Sequence, residues 1–159
     1  VKIIKVISGG QTGADISGLV AAKICKIQTG GTAPFGYKTE KGSNFDLRDL
    51  FQLTESKSEL YIPRTYRNVR VSDMTFWFGS TKSPGFYATT KACEMYKKKW
   101  WGITSENKIQ DTLDYMNYIF KDKNIILNVA GNRKSKNPDI EDFTYTFMVK
   151  FLDAMLKQL

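Results

Sequence analysis

The residues best equipped to do chemistry in this chain form one short block, Ser8-Gly9-Gly10-Gln11-Thr12-Gly13-Ala14-Asp15. A β-branched run, Ile3-Ile4-Lys5-Val6-Ile7, precedes it, and an amphipathic segment from Ala14 to Lys26 follows it. A strand that ends in Gly-Gly and turns directly into a helix leaves backbone N–H groups unpaired at the helix start. Together with the positive end of the helix dipole, such groups attract phosphate or another oxyanion. Gly9, Gly10 and Gly13 lack a Cβ and tolerate positive φ, so a ligand can approach the backbone closely. The same glycines would also suit a purely structural turn. Gln11 and Thr12 can hydrogen-bond the edge of a ligand or brace the turn. Asp15, in the first helical turn, suits capping or a bond to neighbouring loops.

Two other stretches carry charge-bearing groups next to possible turns. Arg64, Arg67 and Arg70 recur every three residues, and Arg64 and Asn68 are four apart, on one helix face. Arg64 could clamp a phosphate bidentately with Asn68 beside it, or pair with Glu59, Asp73 or solvent. Arg67 and Arg70 read as solvated. Gly131-Asn132-Arg133-Lys134 sets two cations beside a glycine, with Arg133 the better anion contact. Thr32 and Tyr37 lie in an irregular Gly-, Thr- and Pro-rich stretch, 28–42, and are read as a lid or as cover for a sheet edge. Lys97-Lys98-Lys99 closes a predicted helix, where cations are favoured for electrostatic reasons alone.

The elements that must position these groups alternate in type. Strands are predicted at 2–7, 74–78, 100–104 and 125–129, and helices at 14–26, 57–71, 86–98, 109–120 and 140–159. Segment 45–51 is short and of undecided type. Met74-Thr75-Phe76-Trp77-Phe78 is apolar enough for a strand buried on both faces. The alternation predicts one α/β domain over 1–159, a doubly wound and mostly parallel sheet with helices on both faces. In such sheets ligands bind beyond the carboxyl ends of the strands. The loops 8–13, 79–85 and 130–133 all follow strands, so they are expected to meet at one crevice.

Composition narrows the chemistry. The 159 residues contain no histidine, which removes Ser-His and Cys-His catalysis and argues against a zinc site. Acid–base work would fall to Asp, Glu, Tyr or Lys. Cys25 and Cys93 are read onto separate helices at no metal-like spacing, so a soluble cytoplasmic protein is expected. No apolar run approaches the roughly 20 residues of a membrane span. The net charge of +8 suits an anionic partner. With no zinc-finger, RNP or basic-helix pattern, nucleic acid is not the expected one.

The opening block resembles the putative molybdenum carrier family. So do Gly30-Gly31-Thr32-Ala33-Pro34, Gly36-Tyr37, Thr39-Glu40-Lys41-Gly42, Leu53-Thr54-Glu55, Tyr61, Arg64-Thr65, Asn68-Val69, Ser72-Asp73 and Leu127-Asn128-Val129-Ala130-Gly131. The resemblance implies a Rossmann-like domain related to molybdenum cofactor carriers, the Lonely Guy phosphoribohydrolases and sensors of NAD- or ADP-ribose-derived nucleotides. These share a crevice for a phosphate-bearing ligand. The phosphoribohydrolases carry Pro-Gly-Gly-x-Gly-Thr-x-x-Glu. Here Pro84-Gly85-Phe86-Tyr87-Ala88-Thr89-Thr90-Lys91-Ala92 stands in its place, with Ala92 where the catalytic glutamate would be. Glu94 is two helix positions on, about 200° around the axis. Phe86 and Tyr87 could stack on a nucleobase or pterin, or pack a helix start.

The expected ligand-binding set is therefore Ser8, Gly9, Gly10, Gln11, Thr12, Gly13, Thr32, Tyr37, Arg64, Asn68, Pro84, Gly85, Phe86, Tyr87, Gly131, Asn132 and Arg133, with no catalytic or metal-ligating residue assigned. The expected role is non-catalytic binding, as a carrier or sequestering sponge, of an anionic nucleotide-derived molecule of ADP-ribose or cyclic nucleotide type, or of a molybdopterin-type cofactor. The alternative is a nucleotide N-glycosidase or phosphoribohydrolase using Glu40, Glu94 or Asp15. Related domains are commonly oligomers, so self-association is expected as well.

Overall fold

The protein is described over residues 1–159 by a computed structural model. In chain order the elements are β1 (Lys2–Ile7), α1 (Ala14–Ile24), β2 (Gln28–Gly30), β3 (Thr32–Ala33), β4 (Lys38–Thr39), β5 (Gly42–Ser43), α2 (Asp46–Asp49), β6 (Thr54–Glu55), α3 (Tyr61–Val71), β7 (Met74–Phe78), α4 (Pro84–Tyr96), β8 (Lys99–Ile103), α5 (Ile109–Ile119), β9 (Asn124–Gly131) and α6 (Ile140–Lys157). Short 3₁₀ turns occupy Phe35–Tyr37 and Glu106–Lys108.

Five strands form one sheet in the order β2-β1-β9-β7-β8, and every neighbouring pair is parallel. β7 lies inside the sheet and is buried at all five positions, as a continuous apolar run requires when both faces are covered. Helices α1, α5 and α6 cover one face. Their side chains join those of the sheet in the main core, where Phe76 meets Phe151 edge-on at 5.2 Å and Phe78 meets Phe147 at 5.6 Å. Helices α3 and α4 pack together on the other face through Val69, Ala92 and Cys93. No helix is long and apolar enough to cross a membrane.

Helix boundaries follow local chemistry. α4 starts at Pro84, two residues earlier than periodicity predicts, because the Ser83 side chain accepts from Phe86 N–H at 3.2 Å and proline suits the first helical position. It ends at Tyr96, where Lys97 turns left-handed with φ 55°. The segment predicted as helical from 57 becomes helical only at Tyr61. Pro63 then falls in the first turn, where its missing N–H has no helical partner to lose.

The stretch 28–42 is more ordered than its composition suggests. β2 extends the main sheet, β3 pairs with β6, and β4 pairs with β5 as a small hairpin. A second core of Leu19, Ala33, Tyr37, Leu47, Phe51 and Leu53 ties this layer to α1. Thr32 and Tyr37 are consequently buried, and neither is a lid. The Tyr37 hydroxyl donates to Leu53 O at 3.3 Å. Asn68 reaches from α3 and clamps the Thr32 backbone: its Oδ1 accepts from Thr32 N–H at 2.8 Å, and its Nδ2 donates to Thr32 O at 2.9 Å.

Asn68→Ala would leave both Thr32 backbone groups buried and unpaired. An expected loss of about 2–6 kcal/mol follows, from about 1–3 kcal/mol for each of the two unmet buried groups. Urea unfolding measures it, and a loss under about 0.5 kcal/mol would contradict the clamp.

Candidate functional site

The order of the sheet decides which loops meet. β1, β9 and β7 are adjacent and parallel, so their carboxyl ends share one rim. Asn132 knots the three loops together there. Its backbone N–H donates to Phe78 O at 2.9 Å, and its carbonyl accepts from Ala14 N–H at 3.1 Å. Its side-chain Oδ1 accepts from Ser80 N–H at 2.8 Å, and its Nδ2 donates to Ser83 Oγ at 3.5 Å. Gly13, at φ +88°, has no room for a Cβ against Asn132 O and the Arg133 backbone. Gly131 likewise abuts Phe78 O and Ala14. The three loops expected to meet therefore do meet, and Asn132, read from the sequence as a ligand contact, braces them together.

The β1–α1 turn differs from the expectation of unpaired amides. Gly10 N–H donates to Ser8 Oγ at 3.2 Å, Gln11 N–H to Asp15 Oδ2 at 3.2 Å, and Thr12 N–H to Gln11 Oε1 at 3.0 Å. Gly9 N–H also faces the Asp15 carboxylate. Ser8 and Gln11 are buried and their polar atoms serve the turn. The physical reason is the one that suggested phosphate: N–H groups at a helix start draw an anion. Here the anion is the chain's own Asp15.

Arg64 completes this centre. Its Nη1 lies 3.2 Å from Asp15 Oδ2, with the two side chains 13% and 4% exposed. It runs so close over Gly9 that any Cβ there would overlap the guanidinium, and its Cζ sits 5.4 Å from the centre of the Tyr61 ring. Burial pushes the Asp15 carboxyl above its ordinary 3.8, opposed by the charge of Arg64 and by hydrogen bonds from Gln11, Arg64 and Gly9. Arg64 Nε is buried with no partner. Asp15, not Glu59 or Asp73, is thus the acid that faces Arg64. Asp73 instead accepts from Ile126 N–H at 2.8 Å. Asn68, committed to Thr32, does not share in a clamp with Arg64. Arg67 and Arg70 are exposed as expected.

Glu40 reaches the same rim from the β4–β5 turn. Its Oε1 accepts from Thr12 Oγ1 and from Ser135 N–H at 3.1 Å, its Oε2 accepts from Ser135 Oγ, and Arg133 Nε lies 3.6 Å away. Burial resists its ionisation. The hydrogen bonds from Ser135 and Thr12 and the charge of Arg133 outweigh that resistance and hold the carboxyl below its usual 4.5. The sequence suggested Glu40 only as a candidate catalytic acid; its contacts show a carboxylate seated among donors. Thr-Glu-Lys-Gly in a tight turn gave no sign of the distant partner Ser135.

The start of α4 adjoins the rim through Ser83. Pro84 and Gly85 are exposed there. Phe86 is part of an aromatic cluster, edge-on to Trp77 at 5.5 Å, Tyr87 at 5.7 Å and Trp100 at 5.2 Å. Tyr87, 58% exposed, lines a cleft of about 350 Å³ between α4 and edge strand β8, with Lys91, Glu94, Lys98 and Trp100. A second cleft of about 360 Å³ opens at the ends of β7 and β8, between Gly79, Ile103, Thr104, Asn137, Ile140 and Phe143. Neither is lined by Gly9 or Arg64.

A five-stranded parallel sheet with a glycine turn at the rim is a Rossmann-like architecture. The profile of the circularly permutated YpsA SLOG family matches residues 6–152, and the chain belongs to that family. It is similar to a solved structure described as a putative molybdenum carrier protein from Syntrophus aciditrophicus SB. The two share 33% identity over 94% of each chain, with a TM-score of 0.81. No curated protein matches.

Removing Arg64 would strand the Asp15 carboxylate, at a cost of about 3–5 kcal/mol near neutral pH. Because the folded-state value of Asp15 lies above 3.8, its contribution to stability is complete below that pH and declines as pH rises through the folded value. Without the guanidinium the decline runs further. The difference in Tm between the unmodified protein and Arg64→Ala is therefore expected to be smallest in acid and to widen once pH passes the folded value of Asp15 in the unmodified protein. Thermal melts from acid to alkaline pH test it, and a difference equal at the two extremes would contradict the pairing.

Proposed function

We propose that this protein binds, without chemical turnover, a phosphate-bearing small molecule derived from a nucleotide, at the rim where the β1, β7 and β9 loops meet. Carriage and sequestration both need such a seat. The observation that carries the reading is Arg64. Its side chain is largely buried, makes one ion pair through Nη1, and holds Nε buried and unpartnered. A buried donor without a partner in an otherwise satisfied turn calls for an acceptor, and a guanidinium favours the paired oxygens of a phosphate.

The carboxylates of the rim support binding over hydrolysis. Ala92 is fully buried where the related phosphoribohydrolases have glutamate. Glu40 is held ionised by its donors, which suits an electrostatic role better than that of a general acid. Glu94 lies on the α4–β8 cleft, away from Arg64.

The molybdenum carrier description of the similar structure raises a molybdenum cofactor as cargo. The residues fit its phosphate better than its metal. No group of three or more His, Cys, Asp or Glu side chains lies close enough to hold a metal ion. Burial raises both cysteine thiols above their ordinary 9.0, with Asp153 adding to the effect at Cys25 and Thr75 opposing it at Cys93. Molybdenum would then sit here as an oxyanion, or within a phosphate-bearing pterin, held by Arg64.

Titration with ADP-ribose tests the seat. Arg64→Lys keeps a cation beside Asp15 but loses the planar fork, and is expected to weaken binding by about 10- to 100-fold, the effect of about 1.5–3 kcal/mol for a charge-assisted bond. Arg70→Ala is expected to stay within about twofold, since surface changes are small. Equal effects would show that the seat is elsewhere. Incubation with AMP, NAD or cyclic ADP-ribose is expected to release no free base; release abolished by Glu40→Gln or Glu94→Gln would establish an enzyme instead.

A further inference from the structure

The rim contains a second group of anion donors, separate from Arg64, and this chain fills it with its own side chain. Thr12 Oγ1, Ser135 N–H, Ser135 Oγ and Arg133 Nε all converge on the Glu40 carboxylate. They come from two different strand-end loops, and Glu40 comes from a third segment. Lys134 N–H donates to Thr12 Oγ1 at 3.2 Å, so the threonine hydroxyl is oriented with its proton toward the carboxylate. A hydroxyl pair, a backbone N–H and a guanidinium aimed at one point are what an oxyanion seat requires.

We infer that Thr12, Arg133 and Ser135 form a phosphate subsite that the Glu40 carboxylate occupies as a built-in competitor, and that an anionic ligand displaces it. The inference deepens the proposed function by giving the ligand a second anionic group to place, as a diphosphate has.

Three features favour a displaceable latch over a fixed brace. Glu40 sits on a two-residue hairpin, β4 with β5, whose register is only Lys38 with Ser43 and Thr39 with Gly42. Lys38, Lys41, Gly42 and Ser43 around it are exposed, while Glu40 is only 14% exposed. The turn is fixed to the rim by few bonds beyond the carboxylate, chiefly Glu40 N–H to Gln11 Oε1 at 2.9 Å. Moving the carboxylate therefore disturbs little of the core, and an entering phosphate satisfies the same donors. The neighbouring cations Arg133, 39% exposed, and Lys134, 47% exposed, are reachable from solvent. Lys134 is paired with Glu141 at 3.5 Å, which leaves Arg133 as the cation facing the seat.

Calorimetric titration of the whole protein with pyrophosphate tests the latch. Glu40→Gln keeps the size of the side chain and removes the competing charge, so it is expected to bind pyrophosphate at least about tenfold more tightly than the unmodified protein, and the gain is expected to vanish in Glu40→Gln/Arg133→Ala. Affinity that is unchanged or reduced in Glu40→Gln would make Glu40 a structural brace and overturn the inference. If Glu40→Gln does not fold, hydrogen exchange of the unmodified protein decides: pyrophosphate is expected to lower protection at residues 39–42, and unchanged protection overturns the latch. Should the latch fail while Arg64→Lys still weakens ADP-ribose binding, the proposed seat stands without it. Should the unmodified protein bind neither ligand, both readings fall.

Discussion

The β1–α1 turn depends on one constraint: N–H groups released where a parallel strand enters a helix must find acceptors when the chain there is buried. In this protein Ser8 Oγ, Gln11 Oε1 and Asn132 O take three of them, and carboxylates take the rest. Asp15 folds back under its own turn and collects Gln11 N–H, Gly9 N–H and the Arg64 guanidinium. Glu40 does the same for the Thr12 hydroxyl and Ser135. The electrostatic field that would attract a phosphate is thus already met by acids, and the cations are held in place by them. Any ligand has to offer more than one of these carboxylates does, either a stronger charge or a geometry that reaches the unpartnered Arg64 Nε.

Rigidity and exchange are divided between different parts of the rim. Asn132 fixes the β1, β7 and β9 loops through backbone and side-chain bonds, and Gly13, Gly79 and Gly131 allow an approach that any Cβ would block. The donors therefore stand on a frame with little freedom, as preorganised binding requires. The 38–43 hairpin is attached to that frame mainly by Glu40. Such a division lets one segment move without altering the position of the donors it uncovers.

The fold was legible in the sequence because its signals are local. The Met74–Phe78 run, the glycine turn after Ile7 and the helical periods each report their own segment. The convergence of three loops followed from the rule for strand ends, and the family resemblance pointed the same way. Contacts were much less legible. That Asp15 would meet Arg64 depends on a separation of 49 residues, and the meeting of Glu40 with Ser135 on one of 95. Asn68 shared the helix face of Arg64 as periodicity required, yet Thr32 claimed both ends of its amide. Phe86 was equally ambiguous, because an aromatic ring beside a loop serves packing or stacking with the same residue type, and only the neighbours Trp77 and Trp100 distinguish the two.

The most direct measurement is a crystal structure grown with saturating ADP-ribose. The account predicts a diphosphate oxygen at about 2.7–3.2 Å from Arg64 Nε, the ordinary range for such a bond, with the β1, β7 and β9 loops otherwise unmoved. Ordered ADP-ribose in either of the two open clefts, with Arg64 Nε still lacking an acceptor, would contradict it.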